Sequence, residues 1–385
     1  MKNSHMSKLG DICSIRTGKL DSNAAVENGE YPFFTCAQET FRIDKFAFDT
    51  EAVLLGGNNA NGIFPLKYYQ GKFNAYQRTY IIESMDKEKV LNKFIYFSLR
   101  PVLAYFKSAS IGATTQFLTK PILDNLKINL PEIHNQKYIV DLLFTYDNLI
   151  DNNRKRIQLL EESARLLFRE WFVYFRFPGH EKGHPVRKSD SNGVKIIDGV
   201  PEGWEKRKLK EIANITMGQS PKSEFYNEDG NGLPFHQGVS NFSHRFPENK
   251  TYCTVNNRLA HEGDILFSVR APVGRINITL EKIVIGRGLA ALKSKTNHQN
   301  FLFYKLVSHF FKDDMIGGGA IFASITKKGL EDVELLHPSK DLINSFEVIV
   351  KPTDQQIRYL TIQNQKLAQA RDLLLPRLMN GTIQV

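Results

Sequence analysis

A chain of 385 residues with 42% apolar content has room for two ordinary domains with real cores plus connecting elements. Its formal charge of +10 and pI near 9.3 suit an anionic partner such as nucleic acid, and equally suit a moderately basic soluble protein. No apolar run approaches the roughly 20 residues that cross a bilayer, and the N-terminus lacks the apolar core of a secretory signal, so the expected location is the cytoplasm. Cys13, Cys36 and Cys253 are far apart and show no CxxC spacing, which suits a reducing compartment and argues against a zinc ribbon or a disulfide scaffold.

Ser4, His5 and Met6 resemble a cloning remnant, and the first seven residues are left out of the fold reading. The first globular part opens at Lys8, Leu9, Gly10, Asp11, Ile12 and the second at Lys208, Leu209, Lys210, Glu211, Ile212. In each, short β-rich runs alternate with turn residues: Val53 to Leu55 and Thr79 to Ile82 correspond to Ile265 to Val269 and Leu289 to Leu292. A helix follows, near Lys89 to Phe106 and His298 to Lys312, then a Gly-containing loop. Thr119 and Thr326 are placed to cap a short helical turn that leads into a strand, alternating in the first part as Leu126, Ile128, Leu130 and ending at Pro131.

From Pro131 to Trp171 the apolar residues Ile139, Leu142, Tyr146, Leu149, Ile157, Leu160, Ala164, Leu167 and Trp171 recur in steps of three and four, with Asn153 in the same stripe. The opposite face carries Asp147, Asp151, Arg154, Lys155, Glu161, Glu162 and Arg165. Such a seam wants a partner helix, and Asn153 either fixes its register or faces solvent at the local break in spacing. Residues 177–203 read as a loop-like linker rich in Gly, Pro, Ser and charge.

The partner lies in the same chain. An offset of 207 maps Gly112 and Ala113 onto Gly319 and Ala320, Thr119 and Lys120 onto Thr326 and Lys327, and Pro131 onto Pro338. It then carries Ile139, Leu142, Ile150, Leu160 and Leu167 onto Phe346, Ile349, Ile357, Leu367 and Leu374. The chain is an internal repeat: α+β, two mixed, β-rich domains in tandem with two long antiparallel coiled-coil helices and pseudo-twofold symmetry. Its segments are 8–130, first domain; 131–176, central helix; 177–203, linker; 204–338, second domain; and 339–385, C-terminal helix. Pro352 should break or kink the last helix, leaving Thr353 to Leu375, which is about 35 Å and close to one turn of B-DNA. Packed antiparallel, the helices would hold the domains apart as a ruler.

Catalytic motifs fail on context. His180, Glu181, Lys182, Gly183, His184 matches HExxH, but Pro178, Gly179, Gly183 and Pro185 forbid the helix that zinc ligation needs. Asp229 with Glu248 and Lys250 fits a nuclease triplet only loosely. No GxxxxGK[ST] loop and no Asn-Pro-Pro-Tyr or Asp-Pro-Pro-Tyr tetrapeptide is present. Gly317, Gly318 and Gly319, with Gly112, Thr114, Thr115 and Gln116 at the matching place, are either flexible turns or loops that offer backbone N–H groups to phosphate. Arg270, Arg275 and Arg287 in the second part, and Asn58, Asn59, Asn61, Gln77 and Arg78 in the first, are either turn and surface chemistry or readers of base edges. Arg suits guanine and Asn or Gln suits adenine.

Several stretches resemble one family, the specificity subunits of type I restriction-modification systems. They are Pro201, Gly203, Trp204 before Lys208 and Leu209; Gly218, Gln219, Ser220, Pro221; Leu233 to Gly238, with Phe235, His236 and Gln237; and Val269 to Gly274. Ala370 to Gly381 at the end is characteristic, and Ala164 to Phe168 leading to Trp171, Phe172, Val173 is similar to that family's central helical region. The resemblance implies two target-recognition domains, each reading half of a split site in double-stranded DNA. It also implies helices that dock two methyltransferase subunits, and ATP-dependent restriction subunits recruited through them.

The chain itself would then be no enzyme and bind no cofactor. S-adenosylmethionine, ATP and Mg belong to the partner subunits. Gln219, Ser220, Lys222, Gln237 and Ser324 join the DNA-contact candidates. Leu142, Leu149, Leu160, Leu167, Trp171, Leu360, Leu367 and Leu374 are the candidates for the partner-binding helices. Two departures stand out: no Pro-x-Gly-Trp lead-in precedes Lys8, and Gly56 to Gly62 differs from the Arg-Ala-Pro-Val-Gly segment, so an asymmetric target is expected. The other classes left open are a coiled-coil protein adaptor with non-specific DNA affinity and a self-contained DNA-modifying enzyme.

Overall fold

The computed structural model describes residues 4–59, 64–109, 116–178, 196–197, 199–310 and 324–383. The HExxH-like stretch, Asn61, Gly112, Thr114, Thr115 and Gly317 to Gly319 lie outside them. The chain forms two compact units, residues 1–153 with 363–385, and residues 154–362.

The first unit is built on a six-stranded sheet. Its long central strand, Phe48–Gly56, is antiparallel to Thr79–Ser84 on one side and to Leu66–Ala75 on the other. Cys13–Thr17 adds to the edge of Thr79–Ser84. In the second unit Ile265–Ser268 pairs with Leu289–Ser294 and Ile276–Ile278, and Ala213–Met217 adds to Leu289–Ser294. The register is the same in both. Val53 faces Ile82 as Ile265 faces Leu292, and Ile15 faces Ile82 as Ile215 faces Leu292. A one-residue slip would reverse every side chain, so equal register means equal inward faces. Val53, Leu55 and Ile82 are buried in one core, as Ile265, Phe267 and Leu292 are in the other.

A helix then covers each sheet, Asn92–Ala109 and Gln299–Phe310. Its first turn is tied to the strands by an amide in both cases. Asn92 accepts from Ser84 N–H and donates to the Glu51 carbonyl; Gln299 accepts from Ser294 N–H and donates to the carbonyls of Gly263 and Leu292. Of the two threonines placed as caps, Thr326 accepts from Gly329 N–H. Thr119 makes no such bond with Ile122, the residue in Gly329's place.

His5–Lys8 is a strand paired with Lys127–Leu130, in the register that Glu205–Lys208 takes with Glu334–His337. Residues 5 to 7, expected outside the fold, therefore belong to it: their backbone closes a two-stranded ladder, which needs no particular side chain. Part of the expected linker is also ordered, since Ile196–Ile197 pairs with Val200–Pro201.

The two long helices are Ile133–Phe172 and Lys340–Met379, of 40 residues each. Pro352 does not end the second. An interior proline costs about 3 kcal/mol, whereas each fully buried large apolar side chain contributes about 1.5–3 kcal/mol. Phe346, Val350, Ile357 and Leu360 are all buried around it, while Pro352 itself is exposed. Pro376 is likewise carried through, because Leu375 and Leu378 are buried in the first unit's core. The helix stops only at Met379, just before Gly381, whose φ of +76° suits a left-handed cap. The length estimate of about 35 Å fails with the break, since 40 residues rise about 60 Å.

Burial follows the repeat. Ile139, Leu143, Ile150, Asn153, Phe168 and Trp171 are buried, and so are their counterparts Phe346, Val350, Ile357, Leu360, Leu375 and Leu378. The seam was misread at Leu149, which is 43% exposed; Leu143 and Ile150 take the inward places. Asp147 and Glu161, assigned to the polar face, are only 17% and 14% exposed at their side chains and hold arginines. Asn153 faces inward, donating to Gln363 and Asn364 within the first unit.

Candidate nucleic-acid interface

In each unit the backbone gathers three separate segments at one corner of the sheet. Beyond the central strand, Gly57 N–H donates to the Arg78 carbonyl at 2.7 Å, and Leu118 N–H donates to the Gly57 carbonyl at 2.8 Å. In the second unit Val269 N–H donates to the Gly288 carbonyl and Ile325 N–H to the Val269 carbonyl, both at 2.9 Å. Asn58 and Asn59 pair with Phe117 and Gln116, and Arg270 pairs with Ser324 in an antiparallel bridge. The corner is the same backbone motif built twice.

A fourth segment closes each corner. Gly18 N–H donates to the Thr79 carbonyl at 3.3 Å, and Gly218 N–H to the Leu289 carbonyl at 2.9 Å. Both glycines are required by space. A Cβ on Gly18 would lie 1.9 Å from the Ala75 carbonyl oxygen, and one on Gly218 would lie 2.2 Å from that of Gly286. This close approach sets Gln219 and Ser220 beside the turn that carries Arg287. Gln219 N–H donates to the Ile285 carbonyl, the Ser220 hydroxyl donates to Gln237 Oε1 at 2.8 Å, and Arg287 N–H donates to Ser220 Oγ at 3.2 Å. Beside Gln237, burial lowers the pKa of His236, which keeps that ring neutral near pH 7.

The structure therefore brings Arg270, Arg287 and Ser324 together around an open concavity of about 430 Å³, which Met217, Val269 and Ile325 also line. Gln219, Ser220 and Gln237 adjoin it through Arg287. Asn58, Asn59, Gln77, Arg78 and Gln116 come together at the equivalent corner. Gln77 sits in the turn before Thr79–Ser84, its amide donating to Asp21 at 2.8 Å. Two candidates are not tied to the corner by any of these bonds. Lys222 is exposed and pairs with Glu224 at 3.8 Å, and Arg275 directly precedes the strand Ile276–Ile278, its backbone N–H donating to Ser268 Oγ. Met217, Val269 and Ile325 were missed, although Met217 directly precedes the Gly218, Gln219, Ser220, Pro221 motif that marked the place.

The comparisons with known proteins bear on this corner. The family model for the type I restriction modification DNA specificity domain matches residues 1–162 and 201–370. The chain belongs to that family. This specificity chain is 30% identical over 339 residues to a putative type I restriction enzyme specificity subunit, MjaX, of Methanocaldococcus jannaschii, covering 85% of this chain and 77% of the relative. With the EcoDI specificity subunit of Escherichia coli it shares 26% identity over 390 residues, 93% of this chain and 82% of the relative. Its fold is similar to that of the crystal structure of a type I restriction-modification S subunit from M. genitalium. The TM-score is 0.65 at 18% identity, with 98% of this chain and 96% of the other covered. Each matched segment contains one of the two corners. Among the described residues no helix is long and apolar enough to cross a membrane.

Proposed function

We propose that this specificity subunit reads a bipartite, asymmetric site in double-stranded DNA, one half with each corner, and performs no chemistry itself. The observation that supports this reading most is the recurrence of one backbone corner, in one register, bearing different side chains: Asn58 and Gln77 in the first unit, Arg270 and Arg287 in the second. A repeated scaffold with exchanged polar groups is what reading two unlike half-sites demands. The basic charge supplies salt-dependent attraction to phosphate.

In this reading the recognition domains are residues 8–130 and 204–338. The helices of 131–176 and 339–385 form an antiparallel coiled coil with pseudo-twofold symmetry that fixes the gap between half-sites. The same helices dock two methyltransferase subunits and, through them, restriction subunits; S-adenosylmethionine, ATP and Mg are used by those partners. Exposed apolar residues on the helices favour a docking role: Leu149 and Leu166 are 43% and 47% exposed, and Leu373 is 64% exposed.

The test is base-modification sequencing of DNA from cells that lack other methyltransferases and express this chain with the methyltransferase encoded beside it. A split adenine-methylated motif that appears only with this chain supports the reading. Absence of new methylation, with both proteins folded and associated, contradicts it.

A further inference from the structure

We propose that Arg270 and Arg287 read guanine in the second unit's half-site, and that Asn58 and Gln77 occupy the same two reading positions for adenine in the first. This deepens the function proposed above and rests on it. The correspondence is structural. Asn58 and Arg270 each follow the residue whose N–H and C=O tie the corner together, and each pairs with the segment between the sheet-covering helix and the short helix that follows it. Gln77 and Arg287 each lie just before the strand that flanks the central one, adjoining Arg78 and Gly288, whose carbonyls accept from the corner.

Phosphate binding and base reading make opposite demands on such a pair of positions. Both half-sites present the same anionic backbone, so a position that binds phosphate by its charge keeps a cation in both units. Here a cation in one unit is replaced in register by a neutral amide in the other, at both positions. The property read there differs between half-sites, and that property is base identity. Guanine offers the O6 and N7 acceptors to an arginine fork, whereas adenine offers the N7 acceptor and N6 donor that match an amide.

The surroundings agree. Arg16, Arg100, Arg207, Arg245, Arg358 and Arg371 each hold a carboxylate. Among the described residues Arg270 and Arg287 hold none, and both line the concavity of about 430 Å³ beside Met217, Val269 and Ile325. Guanidiniums that hold no carboxylate keep their donors for a ligand that has flat acceptor edges. At the other corner Asp21 accepts one amide hydrogen of Gln77, which orients the group and leaves its second hydrogen and its carbonyl oxygen for a base.

The test uses the complex with its methyltransferase, first to obtain the wild-type motif and then with R270N, R287Q, R270K and R287K. Exchange of residues 8–130 identifies which half belongs to the second unit. The proposal expects guanine in that half. Each amide variant should weaken binding to the wild-type duplex by about 5- to 150-fold and relax the motif at one guanine, with the other half unchanged. The lysine variants, which keep charge and lose the fork, should relax it in the same way. A second half-site without guanine overturns the proposal, as does an unchanged motif. Wild-type behaviour of the lysine variants beside a uniform, salt-dependent loss in the amide variants also overturns it, by assigning the arginines to phosphate. A wild-type complex with no split motif would instead remove the proposed function beneath it.

Discussion

Arg245 and Asp354 form an ion pair of 2.6 Å inside the second unit, with side chains only 5% and 9% exposed. Arg245 also donates to the Tyr304 hydroxyl, Tyr304 donates to Asp354, and the guanidinium lies over the Phe303 ring at 4.5 Å. The repeat places Asp147 where the second half has Asp354, and Asp147 holds Arg371 and Arg100 in the first unit. Each long helix thus carries a carboxylate that ties arginine to its own unit.

Removing Arg245 leaves Asp354 uncompensated where water does not reach, whereas removing the Asp354 charge leaves Arg245 with Glu161 at 3.8 Å. R245M should lower the unfolding free energy by about 3–5 kcal/mol, and D354N by less. The double variant R245M/D354N should lose less than the sum of the two single losses. Urea unfolding of the four proteins measures both, and additive losses would show that the pair is not coupled.

His244, next in the chain, places Nδ1 2.8 Å from Glu161 Oε2. The hydrogen bond to Glu161 raises the imidazole pKa against the opposing effect of burial. A base whose folded pKa exceeds its unfolded value of about 6.5 stabilises fully below that value, and the gain is lost as pH rises through the raised pKa. The stability gap between wild type and H244Q should therefore be largest below about pH 6.5 and shrink toward pH 8. Thermal melts across that range would reveal a constant gap if the interaction does not titrate.

Asn153 is 4% exposed and donates to both Gln363 and Asn364. N153A strands those two acceptors in a half-buried seam, and the expected loss is about 1–3 kcal/mol. N153L restores volume but not the donors, so it should recover only part of that loss. Full recovery by leucine would mean that packing alone holds this part of the seam.

Gly18 and Gly218 face backbone carbonyls rather than movable side chains. G18A and G218A should each cost about 1–3 kcal/mol through forced backbone displacement. In the assembled enzyme G18A should impair reading of one half-site and G218A the other. Equal loss in both halves would contradict the assignment of one corner to each half.

Much of this was legible because the chain states its pattern twice. The offset of 207 carries Ile139 onto Phe346 and Trp171 onto Leu378, and all four are buried; the matched strands pair in one register. The errors have physical causes. Pro352 was read by its local cost, without the buried residues on either side that outweigh it. Leu149 was placed inward by a narrow seam, but helix faces here are covered by a globular domain as well as by a partner helix, so Leu143 and Ile150 are the buried residues. Arg245 gave no signal at all, since its burial depends on Glu161 and Asp354, far away in the chain. At the corner, the Arg and Asn candidates were visible by chemistry, but their equivalence required the hydrogen bonds that place Asn58 with Arg270 and Gln77 with Arg287.

The central claim is that two independent readers share one chain. It is tested most directly by exchanging residues 8–130 for the corresponding domain of a relative with a different target, keeping both long helices, and sequencing the methylated bases. The account predicts a motif in which one half takes the donor's sequence while the other half and the gap stay as they were. A motif changed in both halves, or unchanged in both, would contradict it.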